Sequence, residues 1–160
     1  MSRITAATAL VLATVFISSC SDHDPKDTST AYDATLAAEL GADEYGMRTY
    51  VFGMLRTGPS DDEITDKAQR AELFAGHFAN MSKMAEEGKL VLAGPLANGT
   101  DERGLFILNV DSVEEAQALL QNDPTIEAGI FTVDYIDYYG SAALMKVNEI
   151  HTKIQKAKIE

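Results

Sequence analysis

The chain has 160 residues, of which 25 are acidic and 13 are basic, so its formal net charge at pH 7 is −12. A surface with this excess of negative charge repels phosphate backbones and anionic lipid headgroups, which excludes nucleic acid as an expected partner. The single cysteine rules out an internal disulfide, so the folded part depends on its hydrophobic core for stability.

The first nineteen residues have the pattern of a cleaved export signal. Arg3 gives a short positive start, and residues 6–17 form an apolar run that is shorter than the roughly 20 residues of a bilayer-spanning helix. The run leads into the tetrapeptide ISSC at positions 17–20, which resembles the bacterial lipobox, whose cysteine is acylated before the signal is cut. We therefore expect residues 1–19 to be removed and Cys20 to carry acyl chains such as palmitate. The alternatives are a stray cysteine after an ordinary signal and a buried core thiol.

The charge and composition of the residues after the signal indicate how the domain is attached to a membrane. Removal of residues 1–19 leaves 12 basic against 25 acidic residues, a formal charge of −13, so membrane contact should come from the N-terminal lipid. Ser21 stands where bacterial lipoproteins retained in the inner membrane have aspartate, which favours an outer-membrane location in the cell envelope. Residues 20–46 are rich in Asp, Ser, Thr and Ala and are predicted to be a flexible spacer, with a brief helix at residues 34–40.

A folded domain is predicted from residue 47 to residue 144. Residues 48–56 are rich in β-branched and aromatic side chains, which indicates a first strand that ends before Gly58. The capping-box pattern S-D-D-E at residues 60–63 predicts that a helix starts near Asp61, and apolar residues at helical spacing continue it to Gly88.

The second half of the domain repeats this alternation of strands and a helix. A short strand at residues 90–93 and a polar loop precede a third strand at residues 104–110. A second capping box at residues 112–115 predicts a helix that runs through Leu120. A turn at residues 123–129 then leads into a last strand at residues 130–139.

The predicted order β-α-β-β-α-β is the split βαβ or ferredoxin-like unit, an α+β sandwich with both helices on one face of an antiparallel sheet. Residues 50–55 and 105–108 are apolar on both strand faces, whereas two helices cover only one of them. The other face would expose roughly several hundred Å² of apolar surface, which predicts a homodimer formed through it. Residues 145–160 are predicted to form an extra amphipathic helix, docked on its own domain or on the second copy.

Two residues are candidates for chemistry. His77 falls within the apolar arc of the first long helix, with Arg70 on nearly the same line, and periodicity alone favours a buried neutral histidine. Asp123 precedes Pro124, where an aspartate often caps a turn. In a split βαβ unit this turn can lie near the middle of the first helix. The carboxylate would then orient the imidazole and raise its basicity, giving an acid–base pair near neutral pH.

Ordered motifs between about residues 48 and 144 resemble the YCII-related (YciI-like) family. These motifs are His77, GKLVLAGP at 88–95, RGLFIL at 103–108, EA at 115–116, DP at 123–124, AG at 128–129 and YGSAAL at 139–144. The resemblance implies a ferredoxin-like fold that dimerises through its sheets, the dimeric α+β barrel, and a His/Asp site that maps onto His77 and Asp123. Relatives on this fold include lactone isomerases, dehydrochlorinases and monooxygenases of small organic molecules. Residues 136–139 depart from the His-Pro-Trp-Tyr type of strand ending expected in the closest subgroup.

Three functions remain open from the sequence. The first is an enzyme without a cofactor or metal, because the chain has no Walker loop, GxGxxG, HExxH or Cys/His cluster. His77 would move a proton of a small organic substrate, Asp123 would hold the ring, and Tyr50 or Tyr135 would add a hydroxyl. The second is a binding module without turnover, and the third is a structural dimeric lipoprotein. The residues predicted to bind a substrate are Arg70, Gly94, Pro95 and Arg103.

Overall fold

Residues 31–157 are described by the computed structural model, and within them four antiparallel strands form one sheet in the order β2-β3-β1-β4. The strands are β1 (Met47–Thr57), β2 (Leu90–Pro95), β3 (Glu102–Leu108) and β4 (Phe131–Ser141). The helices are α1 (Ala34–Glu39), α2 (Lys67–Glu86), α3 (Val113–Leu120), α4 (Pro124–Glu127) and α5 (Val147–Ile154), with a 3₁₀ helix (Ala142–Lys146) before α5. This order confirms the predicted ferredoxin-like α+β class. Cys20 and the predicted signal lie outside the described residues.

The folded unit begins earlier than predicted, because the end of the expected spacer belongs to it. The compact unit begins at Asp33, which caps α1 at the position where a brief helix was predicted. Arg48 donates from Nη1 to the Leu40 carbonyl at 2.9 Å, which ties α1 to the first strand. None of the helices in residues 31–157 combines the length and the hydropathy that are needed to cross a bilayer.

The predicted start of α2 near Asp61 is wrong. Residues 59–63 form turns, and α2 begins at Lys67 with Asp66 as its N-cap, whose side chain accepts from the Gln69 amide at 2.8 Å. Asp61 is unavailable as a cap because its carboxylate is bound by two arginines. The helix ends at Glu86, and Gly88 stops it as predicted, with a φ of +71°, a left-handed conformation that glycine adopts at little cost.

The two faces of the sheet are covered differently. Helices α2, α3 and α4 pack over one face, where the main core lies between strands and helices. On the second face, Leu144 and Met145 pack against Val91 and Ile107, and the Asn148 side chain donates to the Leu90 carbonyl at 2.7 Å. The C-terminal segment therefore docks on its own domain, one of the two predicted placements, and covers the β2 side of this face.

The homodimer stays a prediction, and the surface left for it is smaller than the sequence implied. Ile136 and Tyr138 on β4 are 56% and 37% exposed and lie on the uncovered half of the second face. A soluble form that begins at Ala31 is expected to have the mass of a dimer by light scattering. Ile136→Lys should shift it to a monomer, whereas Ile154→Lys at the exposed end of α5 should not. A wild-type monomer at micromolar concentration would contradict the prediction.

Candidate acid–base site

The site forms where α2 passes close to α4. A Cβ atom at Gly76 would lie 2.7 Å from the Pro124 side chain, so a glycine is needed for this approach. His77 follows directly on α2, and Asp123 is the N-cap of α4, where its side chain accepts from the Thr125 amide at 3.1 Å. The predicted turn is thus a short helix, and its cap lies against the middle of the first long helix.

His77 and Asp123 form a buried hydrogen-bonded pair. Nδ1 of His77 lies 2.9 and 3.0 Å from the two carboxylate oxygens of Asp123, and the residues are 5% and 0% exposed. The Thr125 hydroxyl donates to Oδ1 at 2.6 Å, and the Asn80 amide donates to Oδ2 at 3.1 Å. With the Thr125 backbone amide, four donors converge on this carboxylate. The sequence indicated neither Thr125 nor Asn80.

These contacts determine the charge of Asp123 and the position of the imidazole proton. Burial raises the pKa of Asp123, but the hydrogen bonds from His77, Thr125 and Asn80 and the charge of His77 outweigh it and lower the pKa to about 2. An ionised carboxylate only accepts, so Nδ1 carries the proton when the ring is neutral, and Nε2 keeps its lone pair.

Nε2 of His77 is the atom left for chemistry. Within residues 31–157 it has no hydrogen-bond partner. The residue as a whole is 5% exposed. A ring held at one nitrogen and unpaired at the other within the described residues has the arrangement of a general acid–base group.

A pH-dependent loss of stability is expected from Asp123. Its folded pKa of about 2 lies below the ordinary 3.8, so its contribution is complete above the ordinary value and is lost as the pH falls through the folded one. The contribution is about 2 kcal/mol at neutral pH. Urea unfolding of the wild type between pH 6 and pH 2 should therefore show a loss that Asp123→Asn lacks. Equal losses in both proteins would contradict the assignment.

Aromatic side chains enclose the imidazole. The ring centroids of the four phenylalanines around His77 lie 5.6 to 6.2 Å from that of His77. They are Phe74, Phe78, Phe106 and Phe131. Their apolar rings lower the local dielectric constant, which strengthens the interaction of the imidazole with the carboxylate.

The two tyrosines that were predicted as hydroxyl donors lie on opposite faces of the sheet. Tyr135 packs on the helix-covered face, and burial together with the charge of Asp123 raises the pKa of Tyr135, so its hydroxyl stays protonated at neutral pH. Tyr50 is buried on the second face and donates to the Ser141 carbonyl at 3.0 Å. The prediction of Tyr50 as a site residue is therefore wrong.

A β-bulge turns Arg103 toward the helix-covered face. Leu55 pairs with Gly104 and the next residue, Arg56, pairs with Glu102, so Arg103 is the extra residue of β3. In a regular strand Arg103 would alternate with Gly104 and lie on the second face. The guanidinium instead lies 5.6 Å from the ring centroid of Phe131, on the same side of the sheet as His77.

Arg70 and Arg103 share the carboxylate of Asp61. Arg103 donates to Oδ2 at 2.9 Å, and Arg70 donates to Oδ1 at 2.7 Å. Arg70 also donates to the carbonyls of Asp61 and Ile64 at 2.9 and 3.2 Å, which holds the loop before α2. The described contacts of Arg70 are thus those of a loop clamp, and its contact with a substrate stays a prediction.

The other ligand predictions concern Gly94, Pro95 and metals. Gly94 lies on the second face beside Leu105, and a Cβ there would meet no described atom within 4 Å. Pro95 lies opposite Gly104, next to the bulge. Their substrate-binding roles stay predictions. In residues 31–157, no three His, Cys, Asp or Glu side chains are grouped to hold a metal ion.

Fold and site together define a ferredoxin-like α+β domain with a buried His–Asp pair. The chain belongs to the YCII-related domain family, whose family model matches residues 54–137 and so includes His77, Arg103 and Asp123.

Two known proteins show the similarity in more detail. The chain is 28% identical over 83 residues to the uncharacterized protein YjpA of Bacillus subtilis (strain 168), covering 52% of this chain and 85% of the relative. This chain is also similar to the solved structure of 5-chloro-2-hydroxyhydroquinone dehydrochlorinase (TftG) from Burkholderia phenoliruptrix AC1100, in complex with 2,5-dihydroxybenzoquinone. That similarity has a TM-score of 0.37 and 25% identity, over 55% of this chain and 90% of the other.

Proposed function

We propose that this protein is an enzyme that moves a proton of a small organic substrate with Nε2 of His77 and needs no cofactor. The observation that carries the proposal is the asymmetry of the imidazole, because Asp123 holds Nδ1 while Nε2 has no hydrogen-bond partner within residues 31–157. The same asymmetry defines the atom that would accept the proton.

The mechanism follows from the charges in the pair. Nε2 takes a proton from a C–H or O–H group of the substrate, and the electron pair of that bond stays on the substrate. The imidazolium formed is stabilised by the ionised Asp123, which itself remains unprotonated. Return of the proton to another substrate atom gives an isomerisation. If the electron pair instead forms a double bond, a leaving group departs with the electrons of its own bond and takes the proton from Nε2, which gives an elimination.

The proposal is tested by isotope exchange on a panel of enolisable keto acids, lactones and hydroxyquinones. Each compound is first screened for thermal stabilisation of the protein and then incubated with it in D₂O, with proton NMR as the readout. We expect at least one stabilising compound to lose a C–H signal or to be converted. Thermal stabilisation without exchange or conversion that is unchanged in His77→Ala would instead favour binding without turnover. The observation that favours this second function is the burial of His77, which is only 5% exposed.

We further propose that a lipid on Cys20 anchors the domain at the cell envelope, with the outer membrane favoured. The support is the ISSC tetrapeptide and the serine that follows it. In a bacterial host, the wild type should incorporate an alkyne-labelled palmitate and sediment with membranes, whereas Cys20→Ala should do neither. Ser19→Ala keeps a small residue before the cysteine and should behave as the wild type. An unlabelled wild type would contradict the anchor.

A further inference from the structure

A short path of an aromatic contact and a cation–π contact joins the imidazole to a guanidinium. The Phe131 ring lies 5.9 Å from the His77 ring, and the Arg103 guanidinium lies 5.6 Å from the Phe131 ring. Arg103 and His77 are thus separated by one aromatic ring, which is the scale of a small planar substrate with one charged substituent.

Arg103 has hydrogen-bonding capacity left for such a ligand. Its Nη1 donates to Asp61 and, at 3.5 Å, to the Thr57 hydroxyl. In the part of the chain that the structure describes, its Nε and Nη2 have no hydrogen-bond partner, and the side chain is 36% exposed. Nε and Nη2 form the edge of a guanidinium that binds a carboxylate with two parallel hydrogen bonds.

The charge around Arg103 favours one negative charge on the ligand. Burial raises the pKa of Asp61, but hydrogen bonds and charges from Arg70 and Arg103 outweigh it and lower the pKa below its ordinary value. One ionised carboxylate between two arginines leaves a single excess positive charge. By contrast, Arg56 on the second face is paired with three carboxylates and has no such excess.

Resting on the proposed function, we propose that Arg103 is the anion-binding residue of the His77 site and that Asp61 sets its charge preference. The substrate is then a small planar organic monoanion whose charged group binds Nε and Nη2 of Arg103. The bulge in β3 has a function in this arrangement, because it places Arg103 on the face that carries His77.

Binding of paired probes tests this inference without any turnover. Benzoate and salicylate are compared with benzamide and salicylamide by titration calorimetry on the full chain. We expect the carboxylates to bind at least about tenfold more tightly than the amides. Arg103→Gln should abolish this preference, whereas Lys83→Gln, which removes a charge from the exposed side of α2, should keep it. No carboxylate binding, equal affinities, or a preference that survives Arg103→Gln would overturn the inference.

Asp61→Asn tests the charge preference through the ratio of the affinities for a dianion and a monoanion. A general loss of folded protein lowers both affinities alike and leaves this ratio unchanged. Removing the carboxylate leaves two excess positive charges, so the affinity for the dianion phthalate relative to benzoate should rise by about tenfold. An unchanged ratio would overturn the role of Asp61. The two proposals can fail separately. The role of Arg103 fails if the preference for anions is absent in binding, whereas the proposed function fails if His77 variants keep full turnover.

Discussion

Asp123→Ala is expected to lower the free energy of unfolding at pH 7 by about 3 kcal/mol. The carboxylate is fully buried, and its loss leaves the donors of His77, Asn80 and Thr125 without their acceptor. It also removes the N-cap of α4. Urea unfolding gives the free energy, and the melting temperature should fall by about 10 °C.

A second aspartate on the chain provides a matched control. Asp66 caps α2 from an exposed position with one hydrogen bond, so Asp66→Ala should cost only about 1 kcal/mol. A loss in Asp123→Ala no larger than in Asp66→Ala would show that the Asp123 carboxylate acts as an ordinary cap and that the buried pair is not formed.

His77→Gln is expected to reduce turnover of the identified substrate by about 10²- to 10⁴-fold. The glutamine amide still donates to Asp123 but has no group that titrates near neutral pH, so the fold is kept while proton transfer is lost. Most of the effect should appear in kcat, since the aromatic walls and Arg103 are unchanged.

The control for this variant is His151→Gln, because His151 is exposed near the end of α5. It should have wild-type turnover. If His77→Gln also retained turnover within about threefold while its circular dichroism spectrum matched the wild type, proton transfer by His77 would be excluded.

The order of strands and helices was predictable because its signals are local. Strand composition, the second capping box at residues 112–115 and the left-handed glycine at Gly88 depend on neighbouring residues only, and the structure agrees with each. The pairing of His77 with Asp123 is not local, and its prediction needed the split βαβ arrangement together with the resemblance to a family. Thr125 and Asn80 were not predicted, although Thr125 follows the Asp-Pro turn and Asn80 lies three residues after His77 on one helix face.

Features set by long-range contacts were missed. Asp61 and Asp66 are both good N-caps, and the choice of Asp66 follows from two arginines that bind Asp61, one of them on the distant strand β3. The position of Arg103 depends on a bulge, which reverses the alternation of side chains and leaves no mark in a strand pattern. The partly covered second face depends on how the C-terminal segment folds back over Val91 and Ile107.

The protonation state of the His77 ring is the most direct test of the proposed acid–base role. Long-range ¹H–¹⁵N correlation spectra of the ¹⁵N-histidine-labelled protein, recorded where the ring is neutral, distinguish the two tautomers. We predict a proton on Nδ1 and a lone pair on Nε2 in the wild type, with the preference for this tautomer reduced in Asp123→Asn. A proton on Nε2 in the wild type would contradict the account, because the open nitrogen could then accept no proton from a substrate.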